Sequence, residues 1–396
     1  MSASPARSRA PEHNPRRSAL ACLFSLVGGC GEESPPEDVS CPLSSQPPVA
    51  VNIESHEGFT MALLADGSIY CWGEERFGSC AYRDGIAGLI PRPTKSENVG
   101  CLTDIFVREG AVVGRGYDGE LKLWGNQLRY VYPWFREATQ PVSLAFLQPR
   151  KIAANGSFVV VETEQAEYYW FGVLLVQSQV DDPAFEGITA RETPYARLKL
   201  TGPSIDMSAR GGHGCVLLET AELWCWGAND EGQLSRPDLP YAEDPVLIST
   251  PEPIVAVETD DKITCVLGES GTVYCSGLNY GQQLGVPFME VYSAPEFQAV
   301  PGVPQASALW LGSNGACVMA VDGLWCWGST GSIPPLKVNE PAAPRDLALG
   351  SGTLCLLDTA GTVYCRGFGG SEFLGRCVNG ETDWAAVDFN LICPNF

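Results

Sequence analysis

The chain has 396 residues, 45% hydrophobic and 18% charged, with 43 Gly, 30 Pro and 16 Cys, enough apolar material for one large or two ordinary domains and far more than a disordered chain carries. Lys plus Arg number 25 against 47 Asp plus Glu, a formal charge of −22, and so acidic a surface repels phosphate backbones and argues against nucleic acid as a partner. Abundant Gly and Pro, with no long Ala/Glu/Lys/Leu-rich stretch, exclude a helical bundle and predict an all-β protein of short strands joined by turns.

Residues Met1 to Arg17 are polar and basic and lead into the short apolar run Ala19 to Val27. This pattern predicts a secretory signal over residues 1–29, too short to span a bilayer. Leu26-Val27-Gly28-Gly29-Cys30 resembles the lipobox of bacterial lipoproteins, which would make Cys30 the acylated mature N-terminus; the alternative is a plain cleaved signal. Residues 30–48 are rich in Ser, Pro and acid and predict a flexible tether. Loss of residues 1–29 removes four Arg and one Glu and takes the charge to −25.

From residue 49 to 396 the chain is a repeat. Its best copy runs Gly214-Cys215-Val216-Leu217-Leu218, a turn, then Leu223-Trp224-Cys225-Trp226-Gly227-Ala228-Asn229 and Gly232-Gln233-Leu234. The glycine after the aromatic falls at 73, 125, 172, 227, 277, 328 and 367. Each unit holds two β-rich runs joined by a tight turn, such as Asp66-Gly67, Asp118-Gly119 and Asp322-Gly323, where Gly supplies positive φ. One unit is too small to cover its own faces. Radial stacking covers them, so seven units of about fifty residues predict a seven-bladed β-propeller.

The pattern of Cys-x-Leu, Gly turn, Tyr-Cys-Trp-Gly, Asn and Gly-Gln-Leu-Gly resembles the repeat of the regulator-of-chromosome-condensation family, strongly in units one and four to seven and weakly in units two and three. The resemblance implies a propeller that binds other molecules. The family's exchange-factor and chromatin roles belong to intracellular proteins, and the chromatin role to a basic surface as well; they are not expected of an acidic, exported chain.

Four units place two Cys across one hairpin: Cys215 and Cys225, Cys265 and Cys275, Cys317 and Cys326, Cys355 and Cys365. Opposed residues on antiparallel strands lie within disulfide reach, and export favours disulfides over the buried thiols a reducing cytosol would keep. Met61 stands opposite Cys71, which therefore pairs elsewhere or stays free. Cys41, Cys71, Cys80, Cys101, Cys377 and Cys393 remain, with 15 connectivities open to them; a bond from Cys41 to Cys377 or Cys393 would staple the ring.

Chemistry is sparse. His56 and His213 are the only His outside the signal, and no nucleophile elbow, zinc pattern or P-loop occurs. No catalytic residue, metal or cofactor is implied. His213 is expected as a packed core residue, Trp72, Trp124, Trp226 and Trp327 as blade packing, and Asp260-Asp261 and Asp181-Asp182 as solvated turns.

Function is sought where the repeat breaks. In unit two Arg129 to Arg136 crowds Tyr130, Tyr132, Trp134, Phe135 and Arg136 into one loop, a composition suited to a protein-binding hot spot or to replacing core. Unit three carries a polar stretch from Gln177 to Pro203, and unit five adds Phe288, Met289 and Tyr292. The expectation is a non-enzymatic, lipid-anchored scaffold on a bacterial envelope that binds another protein and touches membrane only through its anchor. The alternative is an envelope lectin or a carboxylate-dependent glycan-cleaving enzyme.

Overall fold

The structure is a computed structural model, and it describes residues 49–56, 58–75, 79–80, 88–97, 99–108, 111–125, 142–144, 149–154, 158–172, 196–312, 315–328, 333–350, 353–367 and 383–389. Among them there is no helix. Seven four-stranded antiparallel sheets form the blades, each from four consecutive strands. The inner strands are β1 (Ala50–His56), β5 (Leu102–Arg108), β9 (Pro149–Ala154), β13 (Ser204–Arg210), β17 (Ile254–Asp260), β21 (Ala306–Gly312) and β25 (Pro344–Gly350). Each inner strand packs beside the next, and β25 returns to β1, so the ring closes.

The repeated hairpin supplies the two middle strands of each blade. In blade 4 these are β14 (His213–Leu218) and β15 (Leu223–Ala228), and in blade 5 β18 (Ile263–Gly268) and β19 (Val273–Leu278); the outer strands there are β16 (Tyr241–Ile248) and β20 (Ser293–Ala299). β14 and β18 are buried along their whole length, as expected of strands covered on both faces. The hydrophobic clusters each span two adjacent blades: Ile53 and Trp72 of blade 1, for example, share one with Cys355, Leu357 and Val363 of blade 7.

The glycine that marks the repeat has a steric cause. Gly227 sits at φ +101°, and a Cβ there would lie 2.3 Å from the carbonyl oxygen of Gly212; at Gly277, φ +112°, it would lie 2.2 Å from that of Lys262. Only Gly lets the third strand cross the turn before the second at that distance. The hairpin turns behave likewise, with Gly67, Gly119 and Gly323 at positive φ.

All seven inner strands carry a bulge near their start, at Val51, Thr103, Arg150, Ile205, Val255, Ser307 and Arg345. The polar position after the bulge then ties blade to blade. Asn52 donates to Asp104 Oδ1 at 2.7 Å, the backbone N–H of Val257 to Asp206 Oδ2 at 2.9 Å, and Trp310 Nε1 to Asp346 Oδ1 at 3.0 Å. Lys151 Nζ donates to the carbonyl oxygens of Ser204 and Ile205.

Among the described residues no strand is shared between the chain ends. Blade 1 is built from β1 and the strands Phe59–Leu64, Ile69–Glu75 and Gly88–Lys95, and blade 7 from β25 and the strands Thr353–Asp358, Val363–Gly367 and Ala385–Ala386; the seam is held by contacts between sheets: Ala50 N–H donates to Gly361 O at 3.0 Å, and Arg345 Nη2 to Val51 O at 2.6 Å.

Candidate functional site

The antiparallel order gives the ring two faces. One carries the tight turns between the two middle strands and the bulges; the other, the loop face, carries the long connections that follow the third strand, together with the ends of the inner strands.

The cysteines lie between these faces. Cys215–Cys225, Cys265–Cys275, Cys317–Cys326 and Cys355–Cys365 are opposed residues in the register of their hairpins. Each pair is bonded, with Cα atoms 4.1 Å apart, the closely spaced class of antiparallel pairs. Met61 faces Cys71, and Cys71 is bonded instead to Cys80, nine residues on. Cys101 is disulfide-bonded too. Blade 2 puts Val113 against Leu123 and blade 3 Val160 against Trp170 at the staple's place.

The repeated Trp are structural. Trp72, Trp124, Trp226 and Trp327 are all but fully buried, and two of them bind the loop of the blade before: Trp124 Nε1 donates to Ser79 O at 2.7 Å and Trp327 Nε1 to Gln283 O at 2.6 Å. His213 is wholly buried, with Nε2 2.8 Å from Thr264 Oγ1 of blade 5. Burial lowers its pKa to about 4, against partial opposition from the Asp261 backbone and the Asp230 charge, so the imidazole is neutral.

The inner strands enclose an axial cavity of about 150 Å³, lined among others by Glu54, Phe106, Glu258, Trp310 and Asp346. Arg210 lines its loop-face end: Nη1 donates to Leu311 O of blade 6 at 2.5 Å and lies 3.7 Å from Asp260 Oδ1 of blade 5. Asp260 therefore ends an inner strand and faces a cation, where the sequence reading expects a solvated turn; the dipeptide reads as a turn only because Asp261 begins one. Asp346 accepts from the Leu347 N–H at 2.8 Å and from Trp310, and burial, then the Glu54 charge, raise its pKa to about 6. Burial also raises Asp206 and Asp104. Among the described residues no cluster of three or more His, Cys, Asp or Glu is placed to hold a metal ion.

On the loop face two connections repeat one design around a buried Asn. In blade 4 Asn229 Nδ2 donates to Arg236 O and Leu239 O, and its Oδ1 accepts from the Leu234 N–H. In blade 5 Asn279 does the same with Val286 O, Val291 O and the Leu284 N–H. The second carbonyl lies 10 residues after the Asn in blade 4 and 12 after it in blade 5. Arg236 corresponds to Val286, each seven residues after its Asn, and Asp238, the ion-pair partner of Arg236, to Phe288, so the longer loop replaces the ion pair by apolar residues and adds Met289 and Glu290. Met289 is 91%, Tyr280 69% and Tyr292 57% exposed, and Phe288 stands between the two Tyr rings, at 5.9 and 5.3 Å between centroids.

Cys30, Cys41, Cys377, Cys393, Tyr130, Tyr132, Trp134, Phe135, Arg136, Asp181 and Asp182 lie outside the described residues. Sequence reasoning singled out Phe288, Met289 and Tyr292 in unit five but missed the Arg210 bridge and the greater length of the blade 5 loop. Arg210 carries no repeat signal, whereas the two extra residues between Gln283 and Tyr292 were there to be counted.

Comparison with known proteins agrees with this architecture. Residues 206–233 match the regulator of chromosome condensation (RCC1) repeat. The chain is 27% identical over 207 residues to the "Protein RCC2 homolog" of Danio rerio, covering 41% of each chain. It is 22% identical over 293 residues to the mitochondrial RCC1 domain-containing protein RUG3 of Arabidopsis thaliana, covering 68% of this chain and 63% of that one. The chain thus spans about two fifths of the RCC2 homologue and under two thirds of RUG3. Among solved structures, human WBSCR16 superposes with a TM-score of 0.62 at 15% identity, over 76% of this chain and 85% of that one. Prp20p of Saccharomyces cerevisiae superposes with 0.56 at 14% identity, over 86% and 77%. With its tandem units, matched repeat and ring of seven four-stranded blades, the chain is a seven-bladed β-propeller whose repeat is like that of RCC1.

Proposed function

We propose that this chain is a non-enzymatic scaffold, exported and lipid-anchored through Cys30 on a bacterial envelope, that binds another protein on its loop face. One observation carries the reading: the residues of the repeat able to do chemistry, His213 and the paired Cys, are buried and engaged in holding blades together, while exposed aromatic side chains gather on the loops. A rigid ring presenting variable loops is suited to recognition. The similar fold of Prp20p, described by its binding to Gsp1p and histones, supports a binding role in general. The run Leu26 to Cys30, the acid-rich tether and the many Cys support export.

The axial cavity does not favour the glycan alternative. At about 150 Å³ it matches a cavity that takes a guest the size of benzene, far smaller than a polysaccharide segment.

Cross-linking of intact cells producing the full chain, with the linked peptides identified by mass spectrometry, tests the reading. Reproducible links from loop-face residues to one other envelope protein are expected. Links only within the chain would contradict it.

A further inference from the structure

We propose that Tyr280, Phe288, Met289 and Tyr292 form the seat for a protein segment that presents an apolar side chain flanked by Lys or Arg. The proposal rests on the scaffold reading above and assigns its surface.

Exposed apolar residues scattered singly need no explanation, but three aromatics in ring contact beside an almost fully exposed Met form a patch. Tyr and Met are among the residues enriched at interface cores. The patch is also pre-organised. Asn279 holds the loop through three side-chain hydrogen bonds, its backbone N–H donates to Tyr292 O at 2.8 Å, and Glu290 and Val291 both donate to Pro287 O. Little ordering entropy is left to lose on binding.

Blade 4 is an internal control. Its loop has the same Asn hub, yet it carries Asp238 at the place of Phe288, paired at 3.0 Å with Arg236, which stands at the place of Val286. The shared hub needs no exposed aromatics, so those of blade 5 are an addition to the design.

Charge selects the partner. Tyr292 Oη lies 3.5 Å from Glu231 Oε1, and Glu290 is exposed beside Met289. Lys262, the cation paired with Glu231 at 3.7 Å, is also engaged by Asp230 at 2.5 Å. An apolar centre with a carboxylate rim, on a chain of charge −22, complements a segment with an apolar anchor and basic flanks and repels an acidic one.

The test is selection of a random phage-displayed peptide library on the oxidised full chain, followed by affinity measurement of synthetic copies of the enriched peptides. Enriched sequences are expected to carry Leu, Met or an aromatic residue next to Lys or Arg, and to bind Met289→Asp and Tyr280→Ala about tenfold or more weakly than the parent. Both side chains are exposed, so both variants keep the parent's melting temperature. Peptides that bind the parent and both variants equally would overturn the patch and leave the scaffold reading standing, while peptides with acidic flanks would overturn the partner's chemistry. No enrichment at all would overturn both readings. A chain that sediments as a dimer, and as a monomer once Met289 is Asp, would give the patch to a second copy and overturn the proposal.

Discussion

Arg210 of blade 4, at the edge of the axial cavity, reaches the carbonyl oxygen of Leu311 in blade 6 and lies beside the Asp260 carboxylate of blade 5. One side chain thereby links three blades that share no strand. With only 16% of that side chain exposed, its hydrogen bond and ion pair lie largely out of water, where their loss is felt.

Arg210→Ala is accordingly expected to lower the stability of the ring by about 1–3 kcal/mol, because Leu311 O loses its donor and Asp260 its counter-ion. Arg210→Lys recovers only part, since an ammonium offers one point charge in place of a fork of donors. Urea unfolding monitored by Trp fluorescence measures both, and an Ala variant as stable as the parent would remove the bridge from the account.

The cross-strand disulfides each close a short loop, 10 residues in the case of Cys265–Cys275. For such a loop the chain-entropy estimate is about 2–3 kcal/mol. The double variant Cys265→Ala, Cys275→Ala is expected to lose about that much in denaturant unfolding under oxidising conditions, and to equal the parent once both are fully reduced. A loss that persists unchanged under reduction would assign the effect to packing.

Two buried groups pull stability in opposite directions with pH. Asp346 has its pKa raised from 3.8 to about 6, so the folded state holds that proton more tightly and stability falls as pH rises through this window. His213 is lowered from 6.5 to about 4; the unfolded chain takes its proton first, and stability falls as pH drops through nearly the same window. Asp346→Asn, which keeps an acceptor for Leu347 and Trp310, is expected to gain on the order of 1–3 kcal/mol over the parent at neutral pH, with the gain fading toward pH ~4. His213→Gln should show the opposite change in slope. Unfolding series across that range read both, and parallel curves for parent and Asp346→Asn would contradict the assignment.

The parts of this fold that were legible in the sequence are those the repeat enforces. A glycine every fifty residues or so marks the crossing where Gly227 meets Gly212, and strand alternation sets Cys215 opposite Cys225 because both belong to one hairpin. What escaped is what joins different units. Cys71 reaches Cys80 through a loop whose path no periodicity predicts. The bulges fall on the inner strands, whose sequences (for example Ile254–Asp260 and Pro344–Gly350) share little beyond one buried apolar position. Glu162 is wholly buried, bound by Arg150 at 2.5 Å and by the Ser204 hydroxyl of the next blade, and in sequence it is one acid among 47 Asp plus Glu. The Asn229 and Asn279 hubs were visible as repeated letters, and only their hydrogen bonds explain why the loops they hold can diverge.

Intact-mass spectrometry of the chain purified from whole cells, before and after reduction, tests most directly the proposal of an exported propeller stapled by disulfides and anchored at Cys30. The account predicts a chain that begins at Cys30, carries a lipid increment and gains two hydrogens on reduction for every disulfide, at least those within blades 4 to 7. A chain that retains residues 1–29, carries no lipid and keeps the same mass on reduction would contradict it.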